Sequence, residues 1–149
     1  IQTFLDTINA VIHEANANEC TMAAYNIGFD IRAIASTADF YGYKMPTIDH
    51  TFCLYKAFVA AVPLEYFLWT LATKRLTAKG NPKMNAESAY AFITKTDFVE
   101  SHTALEDVQA EIEIMLWLEK RKNTTTDNTT IWRWYKTVLT ENATSEVGE

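Results

Sequence analysis

Glycine and proline are scarce in this 149-residue chain, at four and three residues, which argues against an all-β sandwich built on many tight turns. Cysteine is scarcer still. Cys20 and Cys53 are too few for a disulfide scaffold, and in a chain that opens without a signal peptide they favour free or buried thiols. A reducing compartment, the cytoplasm, is therefore the expected location. The longest apolar stretch, 57–72, is broken by Pro63 and Glu65 and falls short of the ~20 residues of a membrane span, so no membrane partner is expected. Bases are outnumbered, thirteen against nineteen acids, and a net charge of −6 does not advertise a broad electrostatic grip on nucleic acid. It does not exclude a phosphate-binding enzyme that keeps acids at its centre for divalent metals. The apolar content, 48%, is that of a globular domain, and a chain of this length buries ~68–70% of its unfolded surface.

Periodicity predicts an α/β order. Residues 1–15 read as a helix, with Phe4, Leu5, Ile8, Val11 and Ile12 on one face, and a chain opening directly in this pattern reads as one whose N-terminal part is missing. An apolar run, 20–25, reads as a buried strand, followed by a helix from near Asp30 that carries Ile31, Ile34, Ala35 and Ala38 and ends at Gly42. Residues 46–48 read as a second strand, 52–61 and 64–71 as helices parted by Pro63, and 79–82 as a loop. Asn85 is the expected cap of a helix over 86–93, and Thr103 of a last long helix to Lys120. Beyond it lie a polar linker at 123–130, a short aromatic helix from Ile131 and an acidic end from Glu141. The Asn-x-Thr matches at Asn123, Asn128 and Asn142 fall in this Thr-rich tail, and composition explains them better than glycosylation.

Two segments stand out, Asn26-Ile-Gly-Phe29-Asp30 and His102-Thr-Ala-Leu-Glu-Asp107. In this order they resemble the second and third motifs of the DEDDh 3′-5′ exonucleases, the ribonuclease H-like group that includes proofreading subunits of bacterial replicative polymerases. Ile48-Asp49 resembles the end of that family's middle strand, and 84–93 the helix before its His motif. The resemblance covers about residues 1–120. It implies a three-layer α/β fold, here without its opening strands, with 1–122 as an N-terminally incomplete exonuclease domain and 123–149 as an appendage. It also implies hydrolysis of the terminal phosphodiester at the 3′ end of DNA or RNA, with release of nucleoside 5′-monophosphates. Four carboxylates hold two Mg²⁺ or Mn²⁺ ions in that family. Asp107 corresponds to the ligand on the nucleophile side and Asp30 to the ligand on the leaving-group side, His102 to the general base, and Asn26 and Phe29 to substrate-binding positions.

Helix geometry bears on His102 independently. Five steps of ~100° set positions 102 and 107 about 140° apart on a regular helix, too divergent to serve one phosphate. A capping box, Thr103-Ala-Leu-Glu106, starts the helix at Ala104 and leaves His102 on the incoming loop. The expected reciprocal bonds run from the Glu106 amide to the Thr103 hydroxyl and from the Thr103 amide to the Glu106 carboxylate. Leu105, Val108, Ile112 and Met115 form the stripe expected to be buried behind Asp107.

Each residue also has a plainer reading. Asp30 can cap a helix at Ile31, Asp107 can answer a positive helix end, Asn26 can satisfy a turn, Phe29 can fill a core, and His102 can be an exposed loop residue. His13 and His50 lack matching partners, and the tryptophans at 69, 117, 132 and 134 suit packing. Lys74, Arg75, Lys79 and Lys83 are a basic cluster that suits either nucleic-acid backbone or solvent. The family's first motif, Asp-x-Glu, occurs nowhere in the 149 residues, which leaves two of the four carboxylates unsupplied. Three readings remain: an exonuclease lacking its opening strands, a nuclease-like module that binds nucleic acid or protein without cutting, and an unrelated α/β interaction domain.

Overall fold

The computed structural model describes residues 1–96 and 103–121. The expectations for His102 and for 123–149 lie outside those residues. The described part is mixed α/β and mostly helical, with six helices and a two-stranded parallel sheet, and it divides into two units, Ile1–Lys56 and Ala57–Glu149.

In the first unit α1 (Gln2–Ala17) buries Leu5 and Ile12, seven residues apart on one face, while Phe4 and Val11 at the edges of that face stay exposed. β1 (Met22–Ala24) pairs in parallel with β2 (Thr51–Cys53), Met22 opposite Thr51 and Ala24 opposite Cys53. α2 (Ile27–Phe40) packs against both strands. Its end matches expectation. Gly42 takes a positive φ of 64° and donates to Asp39 O, while Tyr43 N–H reaches back to Ala38 O.

The partner strand lies later than the sequence suggests, at 51–53 instead of 46–48. Pro46 has no N–H to give a ladder, and Asn16 occupies the backbone around it. The Asn16 amide donates to Thr47 O at 2.8 Å and its oxygen accepts from Asp49 N–H at 3.1 Å, so one side chain from α1 does the work of a neighbouring strand. The Tyr43 hydroxyl donates to Asp6 Oδ1 at 2.9 Å, and this bond to a carboxylate raises the phenol pKa.

α3 (Leu54–Ala61) leads into the second unit, which adds α4 (Leu64–Ala72), α5 (Ala86–Thr94) and α6 (Ala104–Lys120). Pro63 separates α3 from α4 and serves as the α4 N-cap. Asn85 caps α5 as expected, accepting from Ser88 N–H. The core is aromatic: Tyr66, fully buried, meets Phe58 and Phe92 edge-on at 5.2 and 5.1 Å, and Trp69 and Trp117 close its sides. The Tyr66 hydroxyl donates to Lys83 O, fastening the loop after α4 to this core.

Burial raises the Tyr66 phenol above its ordinary pKa of 10.0. The unfolded phenol therefore ionises first. Its contribution to stability is complete below pH 10 and declines as pH rises beyond it. Tyr66→Phe should lower the unfolding free energy near neutrality by about 1–2 kcal/mol, through the lost partner of Lys83 O. It should also flatten the alkaline decline in denaturant titrations; an alkaline limb as steep as that of the parent would contradict this assignment.

α5 packs on α6, and here an expectation fails. Leu105, Val108, Ile112 and Met115 are exposed, Leu105 at 68% and Ile112 at 45%, whereas Ala110 and Ile114 are buried. The helix has two apolar faces of comparable strength, and periodicity alone does not say which one finds a neighbour. Ile114→Ala should cost about 2–5 kcal/mol, whereas Ile112→Ala should stay within ~0.5 kcal/mol. Equal midpoints for the two variants in urea would reverse the assignment of faces. No helix among the described residues is long and apolar enough to cross a membrane.

Candidate functional site

Asn26, Phe29 and Asp30 come together in one turn. The chain leaves β1 and reverses at Asn26, whose left-handed backbone (φ 67°, ψ 45°) an asparagine tolerates better than most residues. Its carbonyl accepts from Phe29 N–H at 2.8 Å, and α2 begins at Ile27. Asp30 therefore lies inside the first turn and is not the cap that a helix starting at Ile31 would have made it. There it favours the positive helix end without satisfying a particular amide. The Phe29 ring is 62% exposed, so it does not fill the core. Arg32 reaches back over this turn, its Nη1 3.6 Å from where a Cβ at Gly28 would stand.

Asp107 belongs to the second unit. Thr103 caps α6, its hydroxyl accepting from Glu106 N–H at 3.4 Å, and Asp107 N–H donates to Thr103 O. The other half of the predicted box differs. The Thr103 hydroxyl donates to Glu106 Oε2 at 2.8 Å, so the carboxylate closes on the side chain in place of the amide. Asp107 stands exposed in the opening turns of α6, as the capping argument requires.

The carboxylates of Asp30 and Asp107 have no hydrogen-bond or ion-pair partner among the described residues. As exposed, uncommitted oxygen donors they suit Mg²⁺ or Mn²⁺ in kind. In number they are half the set that the resemblance implies. Among the described residues no group of three His, Cys, Asp or Glu side chains is placed to hold a metal ion.

Two clefts lie elsewhere. One of about 250 Å³ is apolar and is lined by Ile12, Ile31, Ile34, Met45, Pro46 and Ile48 in the first unit. The other, about 340 Å³, has Pro63, Glu65, Phe92, Lys95, Trp117 and Arg121 on its walls. The Lys95 ammonium lies 4.0 Å from the Phe92 ring centre and the Arg121 guanidinium 4.7 Å from that of Trp117. These pairs went unnoticed in the sequence, although their spacings, three and four residues along a helix end, are those that bring side chains together. Neither cleft is lined by Asn26, Phe29, Asp30 or Asp107. Cys20 and Cys53 are free thiols, Cys20 exposed and Cys53 half-buried. Comparison with family models, with curated proteins and with solved structures gives no match.

Proposed function

We propose that this chain forms the part of a metal-dependent 3′-5′ exonuclease, of ribonuclease H-like fold, that bears Asp30, His102 and Asp107. Its substrate is the 3′ end of DNA or RNA. One observation carries the reading. A strand with a parallel partner feeds through left-handed Asn26 into a helix whose first turn exposes an uncommitted Asp30, which is the strand–turn–helix setting of the exonuclease motif that Asn26–Asp30 resembles. The Thr103 cap, which starts α6 after His102 and keeps Asp107 inside it, supports the same reading.

In the reaction a water oxygen bonds to the terminal phosphorus and the bond from phosphorus to the O3′ of the preceding nucleotide breaks. A nucleoside 5′-monophosphate is released. His102 takes the proton of the attacking water, a task suited to an imidazole titrating near neutrality. Asp30 and Asp107 would hold divalent cations, which when bound would stabilise the attacking and leaving oxygens. Phe29 offers an exposed ring against which the terminal base stacks, and Asn26 positions that nucleotide.

The absence of Asp-x-Glu favours a second reading, a nuclease-like module that binds without cutting. One assay separates them. Residues 1–149 alone should release no 5′-mononucleotide from a 3′-labelled oligonucleotide in Mg²⁺ or Mn²⁺, since two carboxylates hold Mg²⁺ weakly without substrate phosphate. An extended chain in which an Asp-x-Glu strand precedes residue 1 should do so. An extended chain that binds oligonucleotide and metal yet leaves the 3′ end intact would favour the module.

A further inference from the structure

Charge in this acidic chain is unevenly distributed. Residues 66–86 contain four of the thirteen bases and none of the nineteen acids. The structure folds the basic part of this stretch, 74–83, into a hairpin. Leu76 and Pro82 form an antiparallel bridge, Lys83 N–H donates to Arg75 O, and Thr77 N–H donates to Asn81 O. Lys74 and Gly80 take positive φ at its two bends, and the Tyr66 hydroxyl anchors its end at Lys83 O.

The four cations are not equivalent. Arg75 is committed: its Nη1 lies 3.1 Å from Glu87 Oε1 and its guanidinium lies over the Trp69 ring at 5.4 Å. That pair also occupies Glu87, the first acid after the stretch. Lys74, Lys79 and Lys83 are exposed, and their ammonium groups have no ion-pair or hydrogen-bond partner among the described residues. Three unneutralised lysines are thus held on a backbone-bonded hairpin by a fourth cation that serves as its anchor.

From this we infer that the 74–83 hairpin docks the phosphate backbone of a single-stranded nucleic acid. The choice of nucleic acid over other polyanions rests on the exonuclease reading; the charge and its fixation do not. Lysines on a short hairpin offer point charges without the planar fork that reads a base edge, so the contact neutralises phosphate and is indifferent to sequence.

The test uses residues 1–149 with fluorescein-labelled oligothymidylate and oligouridylate, read by anisotropy between 50 and 200 mM salt. Three variants are compared: the parent, K74Q/K79Q/K83Q, and a charge-matched control, K44Q/K56Q/K120Q, drawn from other exposed lysines. Three lost phosphate contacts reduce the slope of log K against log salt by ~2, so the fall in affinity over this range should be about twenty-fold smaller in the hairpin variant. The control should keep the parent slope, and both oligonucleotides should respond alike. A hairpin variant indistinguishable from the control, while the parent binds, overturns the docking surface and leaves the exonuclease reading standing. A loss confined to one sugar type overturns a contact made to phosphate alone. A parent that binds neither oligonucleotide at 50 mM salt overturns the docking surface, whereas the exonuclease reading is judged by the rate of the extended chain.

Discussion

Asp107→Ala, in the extended chain, is expected to slow 5′-mononucleotide release by ~10²–10³-fold or more and to weaken Mn²⁺ binding. Losing a ligand that supports transition-state charge forfeits several kcal/mol, and each 1.36 kcal/mol is a factor of ten in rate. The plainer role predicts something much smaller. As an acid near the start of α6, Asp107 contributes ~0.3–1 kcal/mol to stability through the helix dipole and nothing to turnover. Its carboxylate is exposed and unpartnered among the described residues, so the variant should keep its fold. Far-ultraviolet circular dichroism and a urea midpoint, taken beside the rate, separate the two roles. A variant that loses a little stability and retains its rate would reduce Asp107 to a helix-end charge.

The second large effect is expected at His102. His102→Ala should lower turnover by ~10²–10⁴-fold, the usual span for general-base assistance, while Mn²⁺ affinity stays within a few-fold of the parent. The split from Asp107 is the informative part, since on the proposed reading His102 moves a proton whereas Asp107 holds a metal ion. The pH dependence offers a separate check. The rate should fall towards acid as the imidazole takes up its proton, and that limb should vanish in the variant because no base remains to be protonated. Parallel losses of rate and metal affinity in both variants would contradict the division of labour.

Most helices were legible because their signals are local. Asn85 and Thr103 each place a side-chain oxygen where the first turn leaves an amide without a partner, and Gly42 supplies the positive φ at the end of α2. Where a long-range partner decides, the reading slipped. The segment 46–48 has the composition of a strand, but the Asn16 amide, 31 residues before Thr47, takes its backbone, and pairing passes to 51–53. On α6, Leu105 and Ile112 look as buriable as Ile114, and only the position of α5 selects between the faces. Around the candidate site the same rule holds. The turn at Asn26–Asp30 was nameable from its residues, but its helix begins at Ile27 because Asn26 adopts a left-handed backbone that no hydrophobic period reveals.

The function proposed above requires Asp30 and Asp107 both to ligate divalent metal. Amide spectra of residues 1–149, titrated with Mn²⁺ in the presence of a nucleoside 5′-monophosphate, test it directly, because the phosphate offers the ions the oxygens that two carboxylates leave unsupplied. Paramagnetic broadening should appear together at the amides around Asp30 and around Asp107, at the same Mn²⁺ concentration, and should be lost from both in either Asp→Ala variant. Broadening at one aspartate that persists when the other is replaced would contradict a shared site.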